Sequence, residues 1–309
     1  MSVAMPSQAR LMTPVLIASC VILLLGFSIR ASFGLFQIPI AEEFNWLRAD
    51  FSFAIAIQNL AWGIGQPIFS AIAEKFGDRK AIVLGTLCYA IGLFISAFAI
   101  TPGQHQFLEI LVGFGIAGTG FGVLLAIVGR ATPAKHRSMA LGITTAAGSA
   151  GQVIGPPVVQ MMLNNFAWQE VFIILAVGIL AVFLLLPFIK APTDDSAAPT
   201  TEPMGKVVKA AIRDKNFIFI FIGFFSCGYQ LAFITAHFPA FITEVCSVIE
   251  PTSLVRSLGI TTASGLGAAA IAFVGFANIG GTILAGWLGA RYSRKYLLAS
   301  IYAGRTIVA

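Results

Sequence analysis

The sequence predicts an all-α polytopic membrane protein, and three observations carry that expectation. Hydrophobic residues make up 58% of the 309 residues and charged ones only 10%, against roughly 25% charged in an average soluble domain. With a mean hydropathy of +0.90, the charge is too sparse to cover a soluble globule of this size. The apolar runs are continuous over about 20 residues, the length that crosses ~30 Å of hydrocarbon, and do not alternate over the ~10-residue segments of a β-barrel. A short basic turn between hydrophobic helices occurs twice, 216 residues apart from Lys75 to Arg291, which implies a duplicated helical unit within a membrane.

The runs follow in order near residues 14 to 40, 51 to 73, 79 to 100, 107 to 129, 138 to 163, 168 to 189, 216 to 242 and 262 to 289, which makes eight spans. The segment Met1 to Arg10 is polar, and no small-residue cleavage site follows a short apolar core, so the first run reads as a retained helix. A ninth run begins at Tyr296 and reaches Ala309, which at ~1.5 Å per residue is too short to cross. Lys190 to Lys215 is the longest polar break, with Pro192, Asp194, Asp195, Pro199 and Pro203, and reads as a flexible linker ending in an amphipathic helix near Val207 to Ile212. Six spans precede it. The expected organisation is therefore an N-terminal six-helix half over 1–189, a cytoplasmic linker over 190–215 and a partial C-terminal half over 216–309.

Basic residues set the orientation. Arg10, three cations over 75–80, three over 130–137, five over 190–215 and three over 291–295 fall on one side, while the other holds Arg48 and Arg256 alone. Cytoplasmic loops collect Lys and Arg, so the N-terminus and both turns are expected in the cytoplasm. That pattern explains the net charge of +6 better than a nucleic-acid partner does. Cys20, Cys88, Cys227 and Cys246 are far apart in or beside apolar runs, which fits neither metal ligands nor a disulfide framework. No metal or cofactor is expected.

The first turn reads Ser70-Ala71-Ile72-Ala73-Glu74-Lys75-Phe76-Gly77-Asp78-Arg79-Lys80, and the second Gly286-Trp287-Leu288-Gly289-Ala290-Arg291-Tyr292-Ser293-Arg294-Lys295. This pair resembles the turn after the second and eighth helices of the major facilitator superfamily, a Gly-x-Leu-Ala-Asp-Arg-x-Gly-Arg-Arg type motif. Ser70 stands for the leading Gly and Glu74 for the Asp in the first copy, with Asp78 inserted; Ala290 replaces the acid and Ser293 the Gly in the second. Small residues let helices approach closely, and the acid and cations form a network that breaks and remakes. The plainer reading is stop-transfer charge. Two copies in register argue against it. The resemblance implies that Glu74 pairs with an eleventh helix, which this sequence does not contain, so the chain reads as C-terminally truncated.

Arg30 is the strongest single site candidate, because a charge within a span costs several kcal/mol unless it faces a cavity or a partner. It lies about 5 Å from the midplane of the first run by helical rise, and snorkelling to an interface is the competing account. Gly26 to Phe36 is similar to the first helix of monocarboxylate transporter-like members, in which a cation at this position contributes to substrate handling. The run Glu42 to Arg48, then Gln58-Asn59-Leu60-Ala61-Trp62-Gly63-Ile64-Gly65-Gln66-Pro67, looks like the same branch, which oxalate/formate antiporter-like proteins share. Gln58 and Asn59 are adjacent and so face different directions. On the fifth run, Gly151-Gln152-Val153-Ile154-Gly155-Pro156 matches the Gly-x-x-x-Gly-Pro core of the family's antiporter-associated motif. Close helix packing and a kink at Pro156 account for it equally well.

The resemblance also places an Arg on the eighth span, one turn after an Asn or Asp, to grip a carboxylate. Asn278 fits the first position and Thr282 occupies the second, so Arg30 is left to carry more of the binding. Tyr229 joins the candidate substrate ligands. His237 and Arg305 are candidates for coupling or proton relay, although a His near the outer end of a span also reads as a satisfied polar residue. There is no His-Glu-x-x-His or phosphate-binding loop. The carboxylates lie mostly in loops, and the clustered acids or histidines of a membrane-embedded enzyme are absent from the expected spans.

What the resemblance implies is a secondary transporter, not an enzyme. It would move a small organic anion, a mono- or dicarboxylate, by alternating access in a bacterial cytoplasmic membrane, with protons or a counter-anion as the coupled species. Proton symport is the leading expectation and antiport the next. The alternative is a truncated, non-transporting membrane protein: an inactive fragment, a sensor or an assembly factor.

Overall fold

The computed structural model describes residues 11–190, 204–246, 249, 253–289 and 291–308. Met1 to Arg10, most of the expected linker, Ala290 and the Arg294 side chain lie outside the described residues. Described secondary structure is entirely helical. In chain order the helices are α1 (Pro14–Ser32), α2 (Gln37–Phe44), α3 (Arg48–Phe76), α4 (Asp78–Ser96), α5 (Pro102–Thr119), α6 (Phe121–Ala131), α7 (Arg137–Leu163), α8 (Trp168–Ile179), α9 (Met204–Arg213), α10 (Lys215–Val245), α11 (Leu254–Ser257), α12 (Ala263–Gly289) and α13 (Arg294–Val308). Short 3₁₀ segments join α1 to α2 and extend α8 to Phe188.

Local chemistry sets the helix ends. Thr13 accepts from the Leu16 N–H with Pro14 at the first position, and Thr101 accepts from Gln104, whose side chain returns to the Thr101 N–H. Asp50 and Glu170 each accept from the backbone N–H three residues before them, placing acids at the positive ends of α3 and α8. Gly77 separates α3 from α4 at φ +97°, a backbone that L side chains rarely adopt.

The eight expected spans all fall on helical rods, the first and fourth each built from two helices in line. Six rods are long and apolar enough to cross a membrane by length and composition. The other two, α3 and α7, are long enough but less apolar. α3 carries Arg48, Asp50, Gln58, Asn59, Gln66, Glu74 and Lys75, and α7 scatters Gly, Ser, Thr and Gln among its apolar residues, with Pro156 and Pro157 inside it. They are the rods that pack most closely on α5, α1 and α12, so their polar and small residues meet protein rather than lipid.

The core lies among α1 to α8, around Ile22, Leu23, Phe36, Phe51, Tyr89, Leu93, Leu124 and Phe172. Gly151 and Gly155 of α7 lie directly against α1, where a Cβ would collide with the carbonyls of Leu24 and Ser28. By contrast α10 buries only Thr235, Ala236, Pro239 and Ala240 among its residues, and Phe219, Phe224, Phe225, Phe273 and Phe276 of α10 and α12 stand exposed. Polar ties between the α1–α8 group and α10 or α12 include the ion pair Arg48–Glu244 and the bond from Gln160 to Ser264 at 3.3 Å. Both lie at the end of the bundle that holds the α2–α3 loop.

Candidate functional site

Arg30 sits in the last turn of the first rod's opening helix, two residues before its C-terminal end, with only 7% of its surface exposed. Its Nη2 donates to Asn59 Oδ1 at 3.0 Å, and Asn59 is itself oriented by donating Nδ2 to the Ile55 carbonyl at 2.8 Å. The guanidinium lies 4.6 Å from the Trp62 ring centroid and 5.9 Å from that of Phe27, a cation–π arrangement. Helical spacing explains the grouping: Phe27 and Arg30 are three apart on α1, and Asn59 and Trp62 three apart on α3.

The surroundings satisfy this charge only in part. Among the described residues Arg30 forms no ion pair, and its buried Nε has no hydrogen-bond partner. Trp62 Nε1, whose ring packs on the guanidinium, is also buried without a partner among the described residues. Both are donors, and neither is an acceptor. Buried donors left unpaired each cost about 1–3 kcal/mol, so the arrangement is costly unless an acceptor arrives. A carboxylate oxygen supplies that acceptor and the missing counter-charge together.

The remaining expected ligands are placed elsewhere. Gln58 points away from Arg30 and donates to Glu109 Oε2 at 2.6 Å. Asn278 is exposed on α12, and its carbonyl accepts from Thr282. Tyr229 is 67% exposed and stacks on Phe233, which in turn meets His237 at 5.0 Å. Arg305 of α13 is held by α10, donating to Gln230 at 2.6 Å and to the Cys227 carbonyl at 3.2 Å.

At the opposite end of the bundle the first basic turn is a network. Arg130 donates to Asp78 at 2.5 Å, tying the end of α6 to the start of α4. Arg79 donates to the carbonyls of Ile189 and Pro187 at 2.9 and 3.1 Å. Glu74, Lys75 and Lys80 are exposed, with Lys75 5.3 Å from the Phe76 ring. In the second copy Arg291 lies 4.0 Å from the Trp287 ring; a Cβ at Gly286 would meet open space and one at Gly289 only Leu297 at 3.7 Å, and Lys295 is exposed.

Sequence reasoning missed His105 and Glu109, and the expectation that the spans hold no acid–histidine cluster is corrected: both lie inside α5, with 1% and 0% exposure. The signal was present in Thr101-Pro102-Gly103-Gln104, a capping box with Pro at the first position, which starts the helix at 102 rather than near 107. Trp62 was seen only as part of a motif, because an unpartnered donor is a property of packing.

A model of the Major Facilitator Superfamily matches residues 18–309. The chain is 28% identical over 285 residues to the Uncharacterized MFS-type transporter YcxA of Bacillus subtilis (strain 168), covering 89% of this chain and 64% of that one. It is 30% identical over 154 residues to Monocarboxylate transporter 13 of Bos taurus, covering 49% of this chain and 35% of that one. In fold it is similar to the crystal structure of a D-xylose-proton symporter, with a TM-score of 0.61 at 18% identity, over 91% of this chain and 69% of that one. The chain thus spans less than two thirds of the length of both relatives.

Proposed function

The chain belongs to the Major Facilitator Superfamily, and on that premise we propose that it moves a small organic anion, a mono- or dicarboxylate, across a bacterial cytoplasmic membrane by alternating access. The observation that carries the anion is the buried Arg30 guanidinium, which has no carboxylate partner among the described residues and stands beside Trp62 Nε1 as a second unpartnered donor. A neutral substrate would leave that charge uncompensated. The name of the bovine relative agrees with this substrate class. Proton symport is the favoured coupling and anion exchange the next.

In this reading residues 1–189 form one half, 190–215 the cytoplasmic linker and 216–309 part of the second half, with the N-terminus in the cytoplasm. Rocking of the halves would break the contacts at the Arg48 end and expose Arg30 to each side in turn. The basic turn at the other end rearranges with that motion.

Uptake of labelled lactate and oxalate into proteoliposomes tests the proposal. Accumulation is expected in the wild type and is reduced about 10- to 100-fold in Arg30→Ala, the loss of one or two charge-assisted hydrogen bonds. Absence of flux for every acid offered would overturn transport and favour a non-transporting role.

A further inference from the structure

Two buried groups play no part in the anion site. His105 and Glu109 sit one turn apart on α5, and His105 Nε2 stands 3.5 Å from Glu109 Oε1. Each of those two atoms lacks a hydrogen-bond partner among the described residues. The other carboxyl oxygen accepts from Gln58 of α3. The imidazole lies between the rings of Phe51 and Phe172, 5.6 and 6.2 Å away and 21° and 13° from parallel, with Trp46 at 6.1 Å. From α4 comes Tyr89, within electrostatic range of both Glu109 and Arg30, its hydroxyl donating to the Gly26 carbonyl at 3.1 Å. No other charged group ion-pairs with Glu109 among the described residues.

A carboxylate taken wholly out of water is strongly unfavourable unless it is neutralised or well paired. One proton settles both orphaned atoms at once. It gives either a carboxylic acid donating to a neutral imidazole or an imidazolium donating to a carboxylate, and the two forms hold the same number of protons with zero net charge. The gap of 3.5 Å is slightly long for a made hydrogen bond, and the enclosing rings leave no competing partner.

We propose that His105 and Glu109 form a proton-binding site, linked to the anion site by the consecutive residues Gln58 and Asn59. Gln58 grips Glu109 and Asn59 grips Arg30 from one turn of α3. That turn is seated tightly on α5 at Gly113, where a Cβ would collide with the Gln58 carbonyl and stand 2.7 Å from Ala61 Cβ. Loss of the proton leaves a full negative charge at Glu109 and strengthens its hold on the Gln58 amide. Because the turn is rigid, a shift at Gln58 reaches Asn59 and alters its bond to Arg30, a contiguous physical link of the kind that carries coupling. The linkage deepens the anion-transport reading; the proton site stands on the geometry of α3, α5 and α8 alone.

The test is an infrared pH titration of the full chain reconstituted in lipid, following the carbonyl stretch of protonated carboxylic acid. A titrating band is expected in the wild type, absent from Glu109→Gln and displaced in midpoint in His105→Gln. Lactate or oxalate at saturation should move the wild-type midpoint and fail to move it in Asn59→Ala. In proteoliposomes, uptake by the wild type should rise on the order of tenfold with an inward proton gradient, and whatever uptake remains in Glu109→Gln should ignore that gradient. Identical pH difference spectra for wild type and Glu109→Gln overturn the proton site. A titrating band with no response to either anion overturns the linkage while leaving the site in place. A titrating band with no flux of any acid removes the transport reading alone.

Discussion

Arg30 owes its character to what its neighbours lack. Asn59 takes one of its N–H groups and Trp62 takes its face, but among the described residues no carboxylate neutralises it. Trp62→Leu keeps most of the apolar bulk while removing both the ring quadrupole and the unpartnered indole N–H. It is expected to raise the half-saturating anion concentration about 2- to 30-fold, from a cation–π loss of roughly 0.5–2 kcal/mol, as read from the concentration dependence of uptake. A second residue with a narrow role is Gly77, whose backbone at φ +97° ends α3 and starts α4. Gly77→Ala is expected to lower stability by about 1–3 kcal/mol, measured as a fall in the thermal midpoint of purified protein. The Arg30 candidate was legible because a charge in an apolar run is conspicuous in any sequence. Glu109 was not, since it stood two residues inside a run whose start was judged by hydropathy rather than by its cap.

At the scale of the element, α4 and α6 are joined by Arg130 and Asp78, with side chains 30% and 16% exposed. Partial exposure limits what the pair contributes, so Asp78→Asn should cost only about 1 kcal/mol or less. Its signature is rescue: thermal unfolding of Asp78→Arg with Arg130→Asp should lie closer to wild type than either single variant does. The packing of α7 on α1 admits no such latitude. Leu at Gly155 would drive a branched side chain into the Ser28 carbonyl, and the expected outcome is loss of monodisperse protein in size-exclusion chromatography. Helix positions were largely readable from apolar length, while which faces meet was not. Gln58 and Asn59 show the difference: adjacency says that they diverge, but only packing says that one turns to Glu109 and the other to Arg30.

Across the whole molecule, α10 and α12 meet the α1–α8 group at points that include Arg48–Glu244, Gln160–Ser264, the close approach of Gly34 to Thr235 and Pro239, and that of Gly275 to Ser149 and Val153. If these contacts part during each cycle, a covalent bridge there stops it. With the four native cysteines replaced, Arg48→Cys paired with Glu244→Cys should lose uptake on oxidation and regain it with reductant. Transport that survives complete cross-linking would place the moving contact elsewhere. No sequence pattern announced this pairing, because Arg48 and Glu244 lie 196 residues apart and only the bundle brings them together.

The uneven apolarity of the rods reaches back to the making of the protein. Helices enter the bilayer from the translocon according to how favourably each partitions into lipid, and polar or charged residues near a helix centre weigh against entry. α3, which carries Asn59 and Trp62 to the proposed anion site, and α7 are the rods left out of the six apolar ones among the described residues. They are therefore the less favoured to insert alone, and each has a companion next in sequence, α4 and α8, that is apolar enough to cross and with which it could enter as a hairpin. In a glycosylation-mapping assay α3 alone should integrate poorly, and α3 followed by α4 should integrate well. The polar side chains that the proposed anion site draws on are thus among those that would make the protein's biogenesis depend on neighbours.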